Sequence, residues 1–248
     1  MMNDIIVGVH SIKAAIENSN RSDFELHGTA QSLQLIDKSL REKCEVSKLA
    51  IKDLDSLYQS KCYELGFKAK RVPSSLFLVC SSLEVKTLHN IWKQMDTGVV
   101  KMIALDQVTD VHNAAAIMRT ASFYGIDAVI IPQKGGAKLT PNFFRIASGA
   151  TESVDIIQSP SLSKTINKLQ DKDVTCVGFS EHEKEVFSID QLNNSEQSFC
   201  LVFGSEDNGL SNAVKINLKH LVSLKSRGFI KSLNVSVAVS VALEKLFS

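Results

Sequence analysis

Two short segments near the end of the chain hold residue types that could grip a ligand closely. The first, Phe203-Gly204-Ser205-Glu206-Asp207-Asn208-Gly209, follows the apolar run Phe199-Cys200-Leu201-Val202. Glycines there leave no Cβ to block the approach of backbone amides and carbonyls to a bound molecule. The second, Gly228-Phe229-Ile230-Lys231-Ser232-Leu233-Asn234-Val235-Ser236, opens the last apolar stretch. It puts Ser232 and Asn234 at an expected helix start, where such side chains cap a helix and can face a ligand. Small polar groups with the carboxylate of Glu206 point to ligand recognition without a metal.

A third segment runs from Leu105 to Ala121, Leu-Asp-Gln-Val-Thr-Asp-Val-His-Asn-Ala-Ala-Ala-Ile-Met-Arg-Thr-Ala. It reads as a strand end leading into a helix, the place where open α/β sheets keep their ligand sites. Asn113 and Arg119 stand six residues apart, so they do not share one helical face. Taken singly, each has a plain structural reading: Asn113 as an N-cap, Arg119 as a surface ion-pair partner. The glycine loop alone could equally be a tight turn, and Ser232 with Asn234 a helix cap. Zinc-hydrolase, nucleophile-elbow and Walker signatures are missing, as is an early G-x-G-x-x-G.

The elements that must position these residues read clearly from residue 99 onward. Strands are expected at Val99–Leu105, Asp127–Ile131, Ser153–Ile157, Val174–Phe179, Phe199–Phe203 and Leu221–Leu224. Helices are expected at Asn113–Tyr124, closed by Gly125, at Asn142–Ala147 behind Thr140-Pro141, at Ser163–Gln170, near Ser211, and at Asn234–Phe247. Strands alternating with helices define an α/β domain with a mostly parallel sheet. The first part differs, with helical patterns at His10–Glu17, Asp53–Leu65 and Gln31–Glu42, and apolar segments at Leu49–Ile51 and Phe67–Val72. We expect a small α/β domain over residues 1–85, a linker over 86–98 with its junction at Asp96-Thr97-Gly98, and the larger domain over 99–248.

Composition narrows the class further. Lys and Arg number 28 against 27 Asp and Glu, so a nucleic-acid partner would need a local basic patch. The five cysteines show no C-x-x-C pair, which suits reduced, buried thiols in a cytoplasmic protein better than a zinc site. No run approaches the roughly eighteen apolar residues of a membrane span, and Met1–His10 does not read as a secretory signal.

In order, Asp106…Asn113…Arg119-Thr-Ala…Gly125, then Gly204-Ser-Glu206-x-x-Gly209-Leu210, then Ser232-Leu233-Asn234-Val-Ser resemble the three signature motifs of the SpoU family. Ala147–Ser153 is similar to the family's intermediate segment, and Val7-Gly8-Val9-His10 to the opening of the small ribosomal-protein-like domain of its ribosomal-RNA branch. The resemblance implies an S-adenosyl-L-methionine-dependent RNA 2′-O-ribose methyltransferase of the SPOUT superfamily. It implies a C-terminal trefoil knot, a homodimer through the knotted domain, and an N-terminal domain that binds structured RNA. Ribosomal RNA, most of all 23S, is favoured over transfer RNA; a transfer RNA ribose methyltransferase and a non-catalytic RNA-binding relative remain the alternatives. Carried over by position, Gly204, Leu224, Leu233 and Gly209 would hold the cofactor, and Arg119, Asn113, Glu206, Ser232 and Asn234 would serve the chemistry. Three positions depart from the family pattern: Val111-His112 where Pro precedes the Asn, Ala115 in place of Gly, and Leu224-Lys225-Ser226 in place of Ile-Pro-Met.

Overall fold

The computed structural model describes residues 3–180, 192, 197–224, 226–230 and 232–248. The chain divides into two compact units: Met1–Glu84 with Leu139–Glu152, and Val85–Lys138 with Ser153–Ser248.

In the first unit, strands β1 (Asn3–Val7), β2 (Glu25–Gly28), β3 (Glu45–Lys48) and β4 (Leu76–Ser81) form a mixed sheet of order β1-β4-β2-β3. Strand β4 runs antiparallel to both its neighbours, and β2 runs parallel to β3. The period-two alternation of β1 and β4 sends Ile5, Val7, Phe77 and Val79 to one face, where helix α3 (Ile51–Glu64) meets them with Leu54, Tyr58 and Cys62. Ile6, Leu26, Leu76 and Leu78 fill the other face with Ile12, Ala15 and Ile16 of helix α1 (Val9–Glu17).

Three expectations for this region are corrected. The helical pattern over 31–42 is broken into a 3-10 turn at Ser32–Leu35 and helix α2 (Lys38–Arg41), because Ile36 between them is extended and turns its side chain into the core. Phe67–Val72 is irregular, and strand β4 lies beyond it. Residues 139–152, expected in the larger domain, pack within the first unit. Helix α6 (Pro141–Ala147), capped by Thr140, places Phe144 in the α1 cluster, and Ser11 Oγ donates to the Phe144 carbonyl at 2.6 Å.

Arg21 fastens the same segment. Its side chain is fully buried; Nε and Nη2 donate to the two carboxylate oxygens of Glu152 at 2.8 and 2.9 Å, and Nη1 donates to Asp4 and to the Ser81 carbonyl at 2.8 Å each. Burial lowers the guanidinium pKa, but the hydrogen bonds and charges around it outweigh that and hold it above its ordinary value.

The second unit is a fully parallel sheet of β5 (Lys101–Asp106), β6 (Ala128–Pro132), β7 (Asp155–Ser159), β8 (Thr175–Phe179), β9 (Phe199–Gly204) and β10 (His220–Val222), in the order β10-β8-β9-β5-β6-β7. Helices α4 (Leu88–Met95), α7 (Leu162–Gln170) and α8 (Asn212–Lys215) cover one face through Ile91, Ile166, Leu169 and Val214. Helices α5 (Val111–Phe123) and α9 (Val235–Phe247) pack on each other and on β6 and β9. The unit is thus the expected α/β domain with a parallel sheet. The expected linker over 86–98 is corrected: Thr87 and Asn90 close a capping box at the start of α4, and its Ile91 is buried in this core.

Candidate functional site

The C-terminal ends of β5, β8 and β9 lie side by side, pairing Asp106 with Gly204 and Phe179 with Phe203. Each strand hands the chain to a loop there. After β5, the Asp110 side chain accepts from His112 N at 2.6 Å and starts α5, so the family's Pro is replaced without loss of the helix cap. Ala115, the second departure, is fully buried inside α5, where alanine suits a helix better than glycine. After β9, the loop folds back so that Gly209 N donates to the Ser205 carbonyl at 2.8 Å, with Gly209 at φ +62°. A Cβ on Gly204 would stand 2.0 Å from Gly209 C, so the closeness of the turn demands glycine there. Asp106, which sequence reasoning treated only as the start of a motif, anchors this return: its buried Oδ2 accepts from Ser211 N at 2.7 Å.

Glu206 sits at the crest of that loop and gathers the other motifs. Its Oε1 accepts from Asn113 Nδ2 at 2.9 Å, from Asn234 Nδ2, and from Val235 N at 3.2 Å. Asn234 Nδ2 also donates to Asn113 Oδ1 at 3.0 Å, while its own Oδ1 caps α9 by accepting from Ser236 N at 3.0 Å. The carboxylate therefore joins the starts of α5 and α9, two helices whose first residues are far apart in the chain.

Below this cluster lies a cavity of about 210 Å³. Gly204, Gly209, Leu224, Ser232 and Leu233 line it together with Glu206. The structure thus brings six of the nine candidate residues to one cavity and ties Asn113 and Asn234 to it through Glu206. Arg119 stands apart from the lining: it is exposed on α5 and its side chain makes no hydrogen bond or ion pair with any described residue. Sequence reasoning missed Phe179, whose ring stacks on Phe203 at 4.4 Å and 10° in the cavity wall, and Lys215 at its edge. An aromatic at the end of an apolar run looks like core, so only strand register could have exposed Phe179. Ser205 Oγ is buried without a hydrogen-bond partner among the described residues. Lys225, the central residue of the third departure, lies outside the described residues.

A parallel α/β sheet with a glycine-loop cavity at its strand ends defines a ligand-binding domain; comparison with known proteins supplies its family. The SpoU rRNA Methylase family matches residues 101–244, and the chain belongs to that family. A 23S rRNA (guanosine-2′-O-)-methyltransferase RlmB from Haemophilus ducreyi is 30% identical over 98% of this chain and 96% of its own length. The protein of the same name from Vibrio cholerae is 28% identical over the same shares. Among solved structures, the SpoU methyltransferase AviRb from Streptomyces viridochromogenes, in complex with AdoMet, superposes with a TM-score of 0.76 at 20% identity, covering 99% of this chain and 89% of that one.

Proposed function

We propose that this protein is an S-adenosyl-L-methionine-dependent 2′-O-ribose methyltransferase acting on structured RNA, with 23S ribosomal RNA as the substrate. Full-length likeness to enzymes named for that reaction supports the substrate. The observation that carries the reading is the hydrogen-bonded junction of Asn113, Glu206 and Asn234 over the Gly204 cavity.

The cavity suits the cofactor. Its stacked Phe179–Phe203 wall and Leu224 and Leu233 offer apolar surface for a flat ring, and Glu206 and Lys215 offer both charges to a zwitterionic tail. The orphaned Ser205 hydroxyl is a buried group that a polar ligand atom would satisfy. When bound, S-adenosylmethionine supplies an electrophilic methyl group on a sulfonium. Gly204, Gly209, Leu224 and Leu233 would hold it, chiefly by backbone atoms, which explains why leucines can serve at two of these positions. Ser232 and the Asn113–Glu206–Asn234 junction would orient the ribose.

Arg119 is assigned the catalytic role. A guanidinium stays protonated in proteins, so it serves as a donor rather than a base. We assign it to the RNA phosphate beside the target ribose and to the negative charge developing on the 2′-oxygen. Its exposure and lack of a partner among the described residues leave its donors free for that task.

The finer architecture follows the same proposal. The C-terminal segment forms the family's trefoil knot, a reading supported by β9 lying between β5 and β8 with both motif loops at one cavity. The first unit serves as the ribosomal-protein-like RNA-binding domain. A second copy covers the α5–α9 face, where Phe123 is 81% and Val237 46% exposed. No helix among the described residues is long and apolar enough to cross a membrane, and the five free cysteines suit a reducing cytoplasm.

Calorimetry with S-adenosylmethionine tests the proposal at its base. Saturable binding by the wild-type chain, lost in Gly204→Ala, supports it. No binding, even with RNA present, would point instead to a non-catalytic RNA-binding relative.

A further inference from the structure

The loop between β10 and α9 carries features that the cofactor site does not use. Leu224 on one side of it and Ser232 and Leu233 on the other line the cavity, so the loop is anchored at the cavity on both sides. Between them, Ser226 Oγ donates to the Ile230 carbonyl at 2.6 Å and closes a compact turn. Phe229 stands on that turn with its ring turned outward, 98% exposed, the most exposed of the large apolar side chains described.

The segment that carries it is rich in cations. From Asp207 to Glu244 the sequence contains Lys215, Lys219, Lys225, Arg227 and Lys231 and no acidic residue between those two, in a chain whose totals nearly balance at 28 and 27. The adjoining cavity also carries Glu206 and Asp207, so the cation that counts is the one nearest the ring in the chain, Arg227, two residues before Phe229. Arg227 is exposed and has no ion-pair partner among the described residues, and Lys215 borders the cavity. An exposed aromatic ring among cations is the combination that receives single-stranded nucleic acid: bases stack on the ring and phosphates meet the cations. A purely apolar protein contact would not call for the cations.

We propose that Phe229 is a base-stacking residue for the RNA substrate, with Arg227 holding a backbone phosphate beside it. This rests on the reading of the cavity as the methyl-transfer site, and it adds a substrate-positioning element peculiar to this loop. Stacking is sequence-tolerant, so the loop secures an unpaired nucleotide without selecting its identity.

The test compares Phe229→Ala, Phe229→Trp and Arg227→Gln in the full chain. The probes are S-adenosylmethionine in calorimetry and an unmodified transcript of large-subunit ribosomal RNA in methyl-transfer and fluorescence assays. Phe229→Ala should raise the KM for RNA roughly tenfold with the cofactor Kd unchanged within about twofold. Phe229→Trp should restore the KM, and its added fluorescence, beyond that of Trp92 in the wild type, should be quenched by RNA. Arg227→Gln should flatten the salt dependence of RNA binding by about 0.7 in the log–log slope. No quenching in Phe229→Trp, or an unchanged KM in Phe229→Ala, overturns the proposal. So does sedimentation showing that Phe229→Ala instead dissolves a dimer, which would assign the ring to a second copy. Failure of the wild-type chain to bind cofactor or transfer methyl groups would instead strike the methyltransferase reading, and the quenching assay separates the two because it needs neither.

Discussion

Asn113 Nδ2 donates to Glu206 Oε1 across 2.9 Å, joining the first turn of α5 to the glycine loop after β9. The same oxygen accepts from Asn234 and Val235 at the start of α9, so one carboxylate holds three motifs in register. Glu206→Ala should cost about 0.5–1.5 kcal/mol, the net value of hydrogen bonds whose partners water can still reach. Glu206→Gln keeps an acceptor oxygen and should cost less. Chemical denaturation of both variants checks the order; equal stabilities would mean that the junction does not hold the helices.

The turn after β9 offers a paired test. Gly204→Ala must displace Gly209 C and O, which a Cβ would approach to 2.0 and 2.2 Å. We expect a loss of about 1–3 kcal/mol, the range for overpacking, together with a deformed cavity. Gly209 has open space around its Cβ position and only its φ of +62° to pay for. Gly209→Ala should therefore cost about 1–2 kcal/mol and leave more cofactor binding intact. Melting curves and calorimetry read both effects.

Arg21 predicts a larger loss in the first unit. Arg21→Met would leave Glu152, with a side chain 7% exposed, and Asp4 without their cation. Breaking one side of such a buried pair costs about 3–5 kcal/mol. Urea unfolding should show it, and a change below about 1 kcal/mol would refute the fastening role.

His27 makes the first unit acid-sensitive. Burial holds its pKa below the ordinary value, opposed by Glu25, whose carboxylate lies 3.5 Å from Nε2, while Lys61 adds to the lowering. With the folded pKa below the unfolded one, the unfolded chain binds the proton first as pH falls. Stability from the neutral ring is complete above the ordinary imidazole value of 6.5 and declines below it. The difference in stability between wild type and His27→Phe, measured from neutral pH to pH 5, should shift toward the variant. A constant difference would contradict the assignment.

Much of the site was legible because glycine, asparagine and a carboxylate at strand–helix junctions have few other reasons to recur in that order. Strands β5, β6, β8 and β9 were legible because a parallel strand buried on both faces is a short continuous apolar run. Strand β3, Glu45-Val46-Ser47-Lys48, is mostly exposed and carries no such signal. The placement of 139–152 with the first unit depends on Arg21 meeting Glu152, residues 131 apart, which no local pattern reports. Helix α4 was hidden because its short Leu88–Met95 span follows a segment without clear periodicity. Arg119 shows the converse: its candidacy came from a motif, and its isolation from the cavity lining became visible only in three dimensions.

Ribose methylation mapped on an unmodified 23S ribosomal RNA transcript, incubated with S-adenosylmethionine and either the wild-type protein or Arg119→Ala, is the decisive measurement. Arg119 is exposed, so the substitution should leave stability within about 0.5 kcal/mol. The wild type should yield a 2′-O-methylated nucleotide, and Arg119→Ala none while it still binds the cofactor. A methyl group on a base, no methylation by a wild-type protein that binds cofactor and RNA, or undiminished turnover by Arg119→Ala would contradict the proposed function.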